Sequence, residues 1–266
     1  MNMDWENIFK LPEAAYVGGK RITKTVLSSR AMLTKHEQRT LDKMHRLEHF
    51  ATVTKGTSHV LPRVDDDYDI QTVIFLRCEM AGDSQAVAEI ARLLHGCFPN
   101  PTVILQEAGD NIAVSVGLSR RSHAERGATV VYDVESTGLF KQDDARYKPF
   151  LDSLAFDCLP QIDLLSYIEA LSTCVKLSRT IKPLGFYPVC APNDRARLLG
   201  LIADYERQQG AVDVLTEQRQ ANDVTPNESA KLRMRIRKAE RQCDETIVEI
   251  ESICNTFMGS VNEGDR

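Results

Sequence analysis

The side chains that could do chemistry fall into four groups, and three of them lack the spacing their chemistry needs. Gly18-Gly19-Lys20 has the end of a phosphate-binding loop, in which backbone amides cradle phosphates and a lysine reaches them. Ala14 stands where the first glycine of that loop belongs, and Arg21 stands where its hydroxyl residue belongs. No G-x-G-x-x-G is present either, so no nucleotide or other cofactor is expected. Asp65-Asp66-Asp67-Tyr68-Asp69 gathers carboxylates that suit a hard cation, but not at EF-hand spacing. The favoured reading is a solvated loop that caps the strand after it. His45 and His49 would share one face of a helix, with no evident third ligand for zinc. No G-x-S-x-G occurs, and Glu79 and Glu107 close strands without the lysine a nuclease centre would add. No catalytic residue and no metal ligand is assigned. A binding protein is favoured over an enzyme, with a metal-dependent nuclease near Asp65–Asp69 or Glu79 as an alternative.

The fourth group is charge. Between Lys10 and Arg46 nine basic residues face only Glu13, Glu37 and Asp42. Within this stretch Lys20, Arg21, Lys24 and Arg30 are the candidates for nucleic-acid phosphates. A second block, Lys231, Arg233, Arg235, Arg237, Lys238 and Arg241, precedes Asp244, Glu245, Glu249 and Glu251. Intrahelical pairs such as Arg241 with Glu245 make that block a solvated helix face first, and a binding surface second. The net charge of −5 excludes a globally basic nucleic-acid binder, though not a local patch.

Hydrophobic residues make up 42% and charged residues 27% of the 266, which suits a packed core rather than disorder. The seven cysteines are odd in number and scattered without C-x-x-C, against a disulfide framework or a zinc cluster. Cys78 and Cys97 sit in apolar runs and read as small buried hydrophobes. The first residues lack a signal-peptide pattern and no run is long and apolar enough for a bilayer, so a cytoplasmic setting without membrane contact is expected.

The elements that must position these groups are legible from periodicity. Residues 1–33 read as an extended lead broken by Leu11-Pro12 and Gly18-Gly19, with short strands at Tyr16-Val17 or Arg21–Thr23. Thr34 and Glu37 form a capping box for a helix whose apolar side is Leu41, Met44 and Leu47. His49–Thr54 and Ser58–Leu61 are weaker strand candidates. Ile70–Met80 is apolar on both faces, as a central strand is. Asp83 starts a helix that runs to His95 and stops at Gly96. Thr102–Gln106 and Ile112–Leu118 form a hairpin about Gly109-Asp110-Asn111, followed by a strand at Ala128–Val134. Residues 141–159 connect, and Pro160 begins a helix to about Arg179. This order predicts an α+β fold: a mixed, mainly antiparallel sheet with packed helices.

The C-terminal stretch predicts an antiparallel helical hairpin broken at Asp223-Val224-Thr225-Pro226-Asn227. One helix carries Leu198, Leu201, Ile202, Tyr205, Val212 and Leu215. The other carries Leu232, Ile236, Ala239, Cys243, Ile247, Ile250, Ile253 and Phe257, one apolar stripe each. Leu232, Ile236, Cys243, Ile247 and Ile250 are the candidate partner-binding residues. The expected organisation is an α+β domain over 1–140, a connecting helical segment over 141–192, and the hairpin with a short disordered tail over 193–266.

Leu11-Pro12-x-x-x-Tyr16-Val17, Arg21-Ile22-x-Lys24, the strand from Ile70 to Cys78, the helix closing before Pro99, and Ala230-Lys231-Leu232-Arg233-Met234-Arg235-Ile236 together carry a likeness. With them the chain resembles an uncharacterised bacterial family, domain of unknown function number four-three-nine-one, over nearly its whole length. Genes of that family tend to lie beside SNF2-like helicases and DNA methyltransferases. The resemblance therefore implies a non-enzymatic accessory subunit of a DNA-modification or phage-defence system. Its hairpin would dock a helicase or methyltransferase, or form a homodimer, and a nucleic-acid-binding module using the basic N-terminal segment is the alternative. The resemblance supplies no catalytic residues.

Overall fold

The structure is a computed structural model that describes residues 3–30, 33–82, 86–125, 127–221 and 225–264, with side chains for all of these except Arg30 and 256–264. It forms two compact units, Met1–Arg179 and Thr180–Arg266. The first unit runs α1 (Trp5–Phe9), β1 (Tyr16–Arg21), α2 (Lys24–Arg30), α3 (Lys35–Asp42), β2 (Met44–Val53), α4 (Lys55–Ser58), β3 (Arg63–Val64), β4 (Asp69–Ile70) and β5 (Val73–Met80). It continues through α5 (Val87–Cys97), β6 (Thr102–Ala108), β7 (Asn111–Arg121), β8 (Thr129–Ser136), β9 (Phe140–Lys141), α6 (Lys148–Ser153) and α7 (Leu164–Ser178).

Strands β1, β2, β5, β6, β7 and β8 lie side by side in that order, and β9 also pairs with β7. Every neighbouring pair is antiparallel except β5–β6, whose crossover is α5. The fold is therefore the α+β class with a mixed, mainly antiparallel sheet. β5 lies between β2 and β6, the central place that its two apolar faces predict. Successive strand side chains alternate between faces. On one face Leu76 joins Leu47, Ile104 and the α5 residues Val87, Ile90 and Leu94. On the other, Phe75 meets Phe9 of α1 edge to face at 5.2 Å.

Several expected elements take a different form. The lead is not extended: it holds α1 and α2, and Trp5, Phe9 and Leu27 are core residues. The Thr34–Glu37 capping box forms, but its helix stops at Asp42, and Met44 and Leu47 belong to β2. A register shift between Met44 and Arg46 lets two strand residues three apart both face inward, which imitates helical spacing. Ser58 closes α4 rather than opening a strand. The helix expected from Pro160 starts at Leu164, where Asp163 caps it by accepting from the Ser166 amide at 2.7 Å. Asp83 lies outside the described residues. The hairpin of β6 and β7 forms about Gly109, which has a left-handed φ of 61°.

The second unit contains α8 (Ile181–Leu184), α9 (Arg195–Gln220) and α10 (Pro226–Gly264). Of the expected breaker, Asp223 and Val224 lie outside the described residues, while Pro226 is the first residue of α10. Thr225 and Glu228 form a reciprocal cap there, the Thr225 hydroxyl donating to Glu228 at 2.6 Å and accepting from its amide at 3.3 Å. The helices run antiparallel: Arg197 pairs with Glu249 at 2.5 Å, Gln208 accepts from Thr246 at 3.0 Å, and Val212 packs with Ile236 and Cys243.

Candidate functional site

Lys20 and Arg21 come together at one mouth, and β1 is built to put them there. Gly18 and Gly19 both adopt left-handed φ, 69° and 67°, which only glycine takes without strain. Tyr16 faces Ala51 while Lys20 already faces His49, so β1 bulges between them and turns Lys20 and Arg21 to a new direction. The Ile22 amide then donates to the Leu47 carbonyl at 2.8 Å and returns the chain to the sheet. The redirected residues rim a cavity of about 470 Å³. Its apolar wall includes Ile22, Val26, Leu27, Ile74, Leu76 and Phe98. Pro99 and Asn100 also line it, and the Ile74 amide donates to the nearby Pro101 carbonyl at 3.0 Å.

The electrostatics of this mouth are simple. Lys20 and Arg21 are exposed and have no ion pair among the described residues. His49 also lines the cavity, and its ring meets the Thr52 hydroxyl at 2.6 Å. Burial is the main cause that holds its pKa below the usual histidine value, and the Lys20 charge adds to it. Near neutral pH, then, the cations are Lys20 and Arg21, standing at the edge of an apolar space. Such a space takes a planar or apolar group, while the rim takes an anion attached to it. The volume lies within the range of small-ligand sites.

Of the other basic candidates, Lys24 is not among the residues that line the mouth. Lys24 starts α2 and pairs with Asp42 at 3.5 Å, an exposed and weak interaction. The side chain of Arg30 lies outside the described residues. Ile22, Ile74 and Phe98 carry no signal of a site in the sequence, because three segments far apart in the chain supply them.

The acidic loop is a turn. Asp65 accepts from the Asp67 and Tyr68 amides at 3.0 and 2.8 Å and from Arg63 at 2.7 Å. Its Arg63 partner, helped by those amides, holds its carboxyl below the ordinary value. Asp69 pairs with Arg121 and Asp67 lies near His123. Glu107 is buried, taking Trp5 Nε1 at 2.7 Å and a two-pronged hold from Arg77 at 2.8 and 3.0 Å. His45 and His49 lie on strand β2, not on a helix. Among the described residues no three His, Cys, Asp or Glu side chains gather to hold a metal.

Of the candidate partner residues, Ile236 and Cys243 pack on α9 against Val212, Tyr205 and Leu215. Ile250 is buried, and Leu232 and Ile247 are half-buried. The outer side of α10 stays open: Met234 is 74% and Val248 62% exposed.

No curated protein and no solved structure matches the chain. No helix of the described residues is long and apolar enough to cross a membrane. The model of one protein family, "Domain of unknown function (DUF4391)", matches residues 9–243, which takes in the whole sheet, the Lys20–Arg21 mouth and most of the hairpin. The chain belongs to that family.

Proposed function

We propose that the chain is a non-enzymatic binding subunit that takes a nucleic-acid strand at the Lys20–Arg21 mouth, a phosphate on the rim and an unstacked base in the apolar space. The observation that carries this reading is the meeting of two cations, without an ion pair among the described residues, and a cavity of about 470 Å³ whose wall is mainly apolar. Unstacked bases gain from apolar and aromatic walls, and phosphates from arginine and lysine. The test is binding of a labelled single-stranded oligonucleotide by fluorescence anisotropy across a salt series. Two phosphate contacts on a single strand give log K against log salt a slope of about −1.4. The double variant Lys20→Glu/Arg21→Glu should lose that binding and the slope with it. Unchanged affinity in the variant would remove the mouth from the reading.

A second reading keeps the adaptor role, in which the hairpin docks a helicase or methyltransferase in a bacterial DNA-modification or phage-defence assembly. The open outer side of α10 favours it, since the inner stripe is covered by α9. Substituting Met234→Asp and Val248→Asp should then release such a partner, with helix content unchanged. A partner that stays bound would retire that surface.

A further inference from the structure

The outer face of α10 carries a charge pattern that matches itself when reversed. Ile236, Cys243 and Ile250 are buried at steps of seven. Met234, Arg241 and Val248 repeat at the same step two residues earlier, which at about 100° per residue puts them on the opposite side of the helix. Met234, Val248 and the side chains of Arg241 and Glu245 are all well over half exposed. Arg237 and Lys238 lie on this face before Arg241, and Asp244 and Glu245 come after it. Within the chain, Lys231, Arg233, Arg235, Arg237 and Lys238 have no ion pair among the described residues. One exposed helix face thus has a cationic half whose charge is unmatched and an acidic half adjoining it.

We infer that this face pairs with the same face of a second copy, antiparallel, about a two-fold axis at Arg241. In that register Met234 meets Val248, Arg237 meets Asp244, and Lys238 meets Glu245. Each contact occurs twice by symmetry. Arg241 meets its own copy on the axis, and its charge is offset there by the Glu245 that it already holds at 3.1 Å in its own chain. The apolar contacts sit at the two ends, about 10 Å either side of the axis at 1.5 Å rise per residue. A parallel pairing of the same face would instead stack cation on cation and acid on acid. Charge therefore selects the antiparallel second copy over its parallel alternative. This inference does not rest on the Lys20–Arg21 mouth, and it gives to a second copy the α10 face that the adaptor reading gives to another protein.

The test uses two charge-reversed chains at these exposed positions, Arg237→Glu/Lys238→Glu and Asp244→Lys/Glu245→Lys. Sedimentation equilibrium of the wild type at low salt should give twice the chain mass. Each variant alone should give the monomer mass, with wild-type helix content by circular dichroism. An equimolar mixture of the two should return to the dimer mass, because the reversed charges then complement each other. A wild type that stays monomeric at low salt would overturn the inference, and so would variants that dimerise as well alone as the wild type. If the wild type is monomeric and its cationic half instead binds an oligonucleotide, the inference is likewise overturned in favour of a polyanion site.

Discussion

At the scale of single residues, the buried pair His95 and Ser115 defines how tightly the sheet is packed. The two side chains meet at 2.9 Å under α5, and the ring lies against Gly117. A Cβ on Gly117 would sit 2.5 Å from His95 Nδ1, inside any real contact. Gly117→Ala should therefore cost about 1–3 kcal/mol, as overpacking of a filled core does. Thermal unfolding should show it as a fall of several degrees. Burial also pushes the His95 pKa down to about 3. The folded histidine stays neutral where the unfolded one, with a pKa near 6.5, binds a proton. Its contribution to stability is thus complete above about pH 6.5 and is lost as pH falls from there toward 3, by about 1.4 kcal/mol per pH unit. His95→Gln, which can keep a bond to Ser115, should flatten that part of the stability–pH curve measured by urea unfolding. An unchanged slope would show that other groups set it.

At the scale of elements, short-range patterns were legible in the sequence and distant contacts were not. The Thr34–Glu37 box, the turn at Gly109 and the central strand needed only neighbours in the chain. Met44 and Leu47 mislead because a bulge gives a strand the spacing of a helix. Trp5 and Phe9 read as part of a lead because five helical residues carry little periodicity, and their burial comes from Glu107 and Phe75, distant partners. The hairpin is legible in both helices, since each buries its own stripe. Ile236 is buried with Val212 and Cys243 where the two helices pack. Ile236→Asp puts a charge among them and should unzip α9 from α10 there, seen as lost far-UV ellipticity. Trp5 is the one tryptophan and is buried in the Met1–Arg179 unit. Its emission should stay as in the wild type, and a red shift would show that the two units do not unfold separately.

At the scale of the whole molecule, the candidate site was only half legible. Lys20 and Arg21 stand out in the sequence as charge without opposition, and the double glycine before them signals an irregular backbone. The cavity they rim is not legible, because its wall is assembled from Ile22 just after β1, Leu27 on α2, Ile74 on β5 and the turn after α5. Charge alone implies a sequence-indifferent phosphate contact; the apolar space adds a demand for a base. Those two demands separate in one comparison. Binding of a single-stranded oligonucleotide is measured beside that of an abasic strand of equal length and charge, for the wild type and for Val26→Trp, which fills the cavity mouth. The base-bearing strand should bind the wild type more tightly, and the difference should vanish in Val26→Trp. Equal binding of both strands to the wild type would contradict the account, leaving phosphate attraction with no role for the cavity.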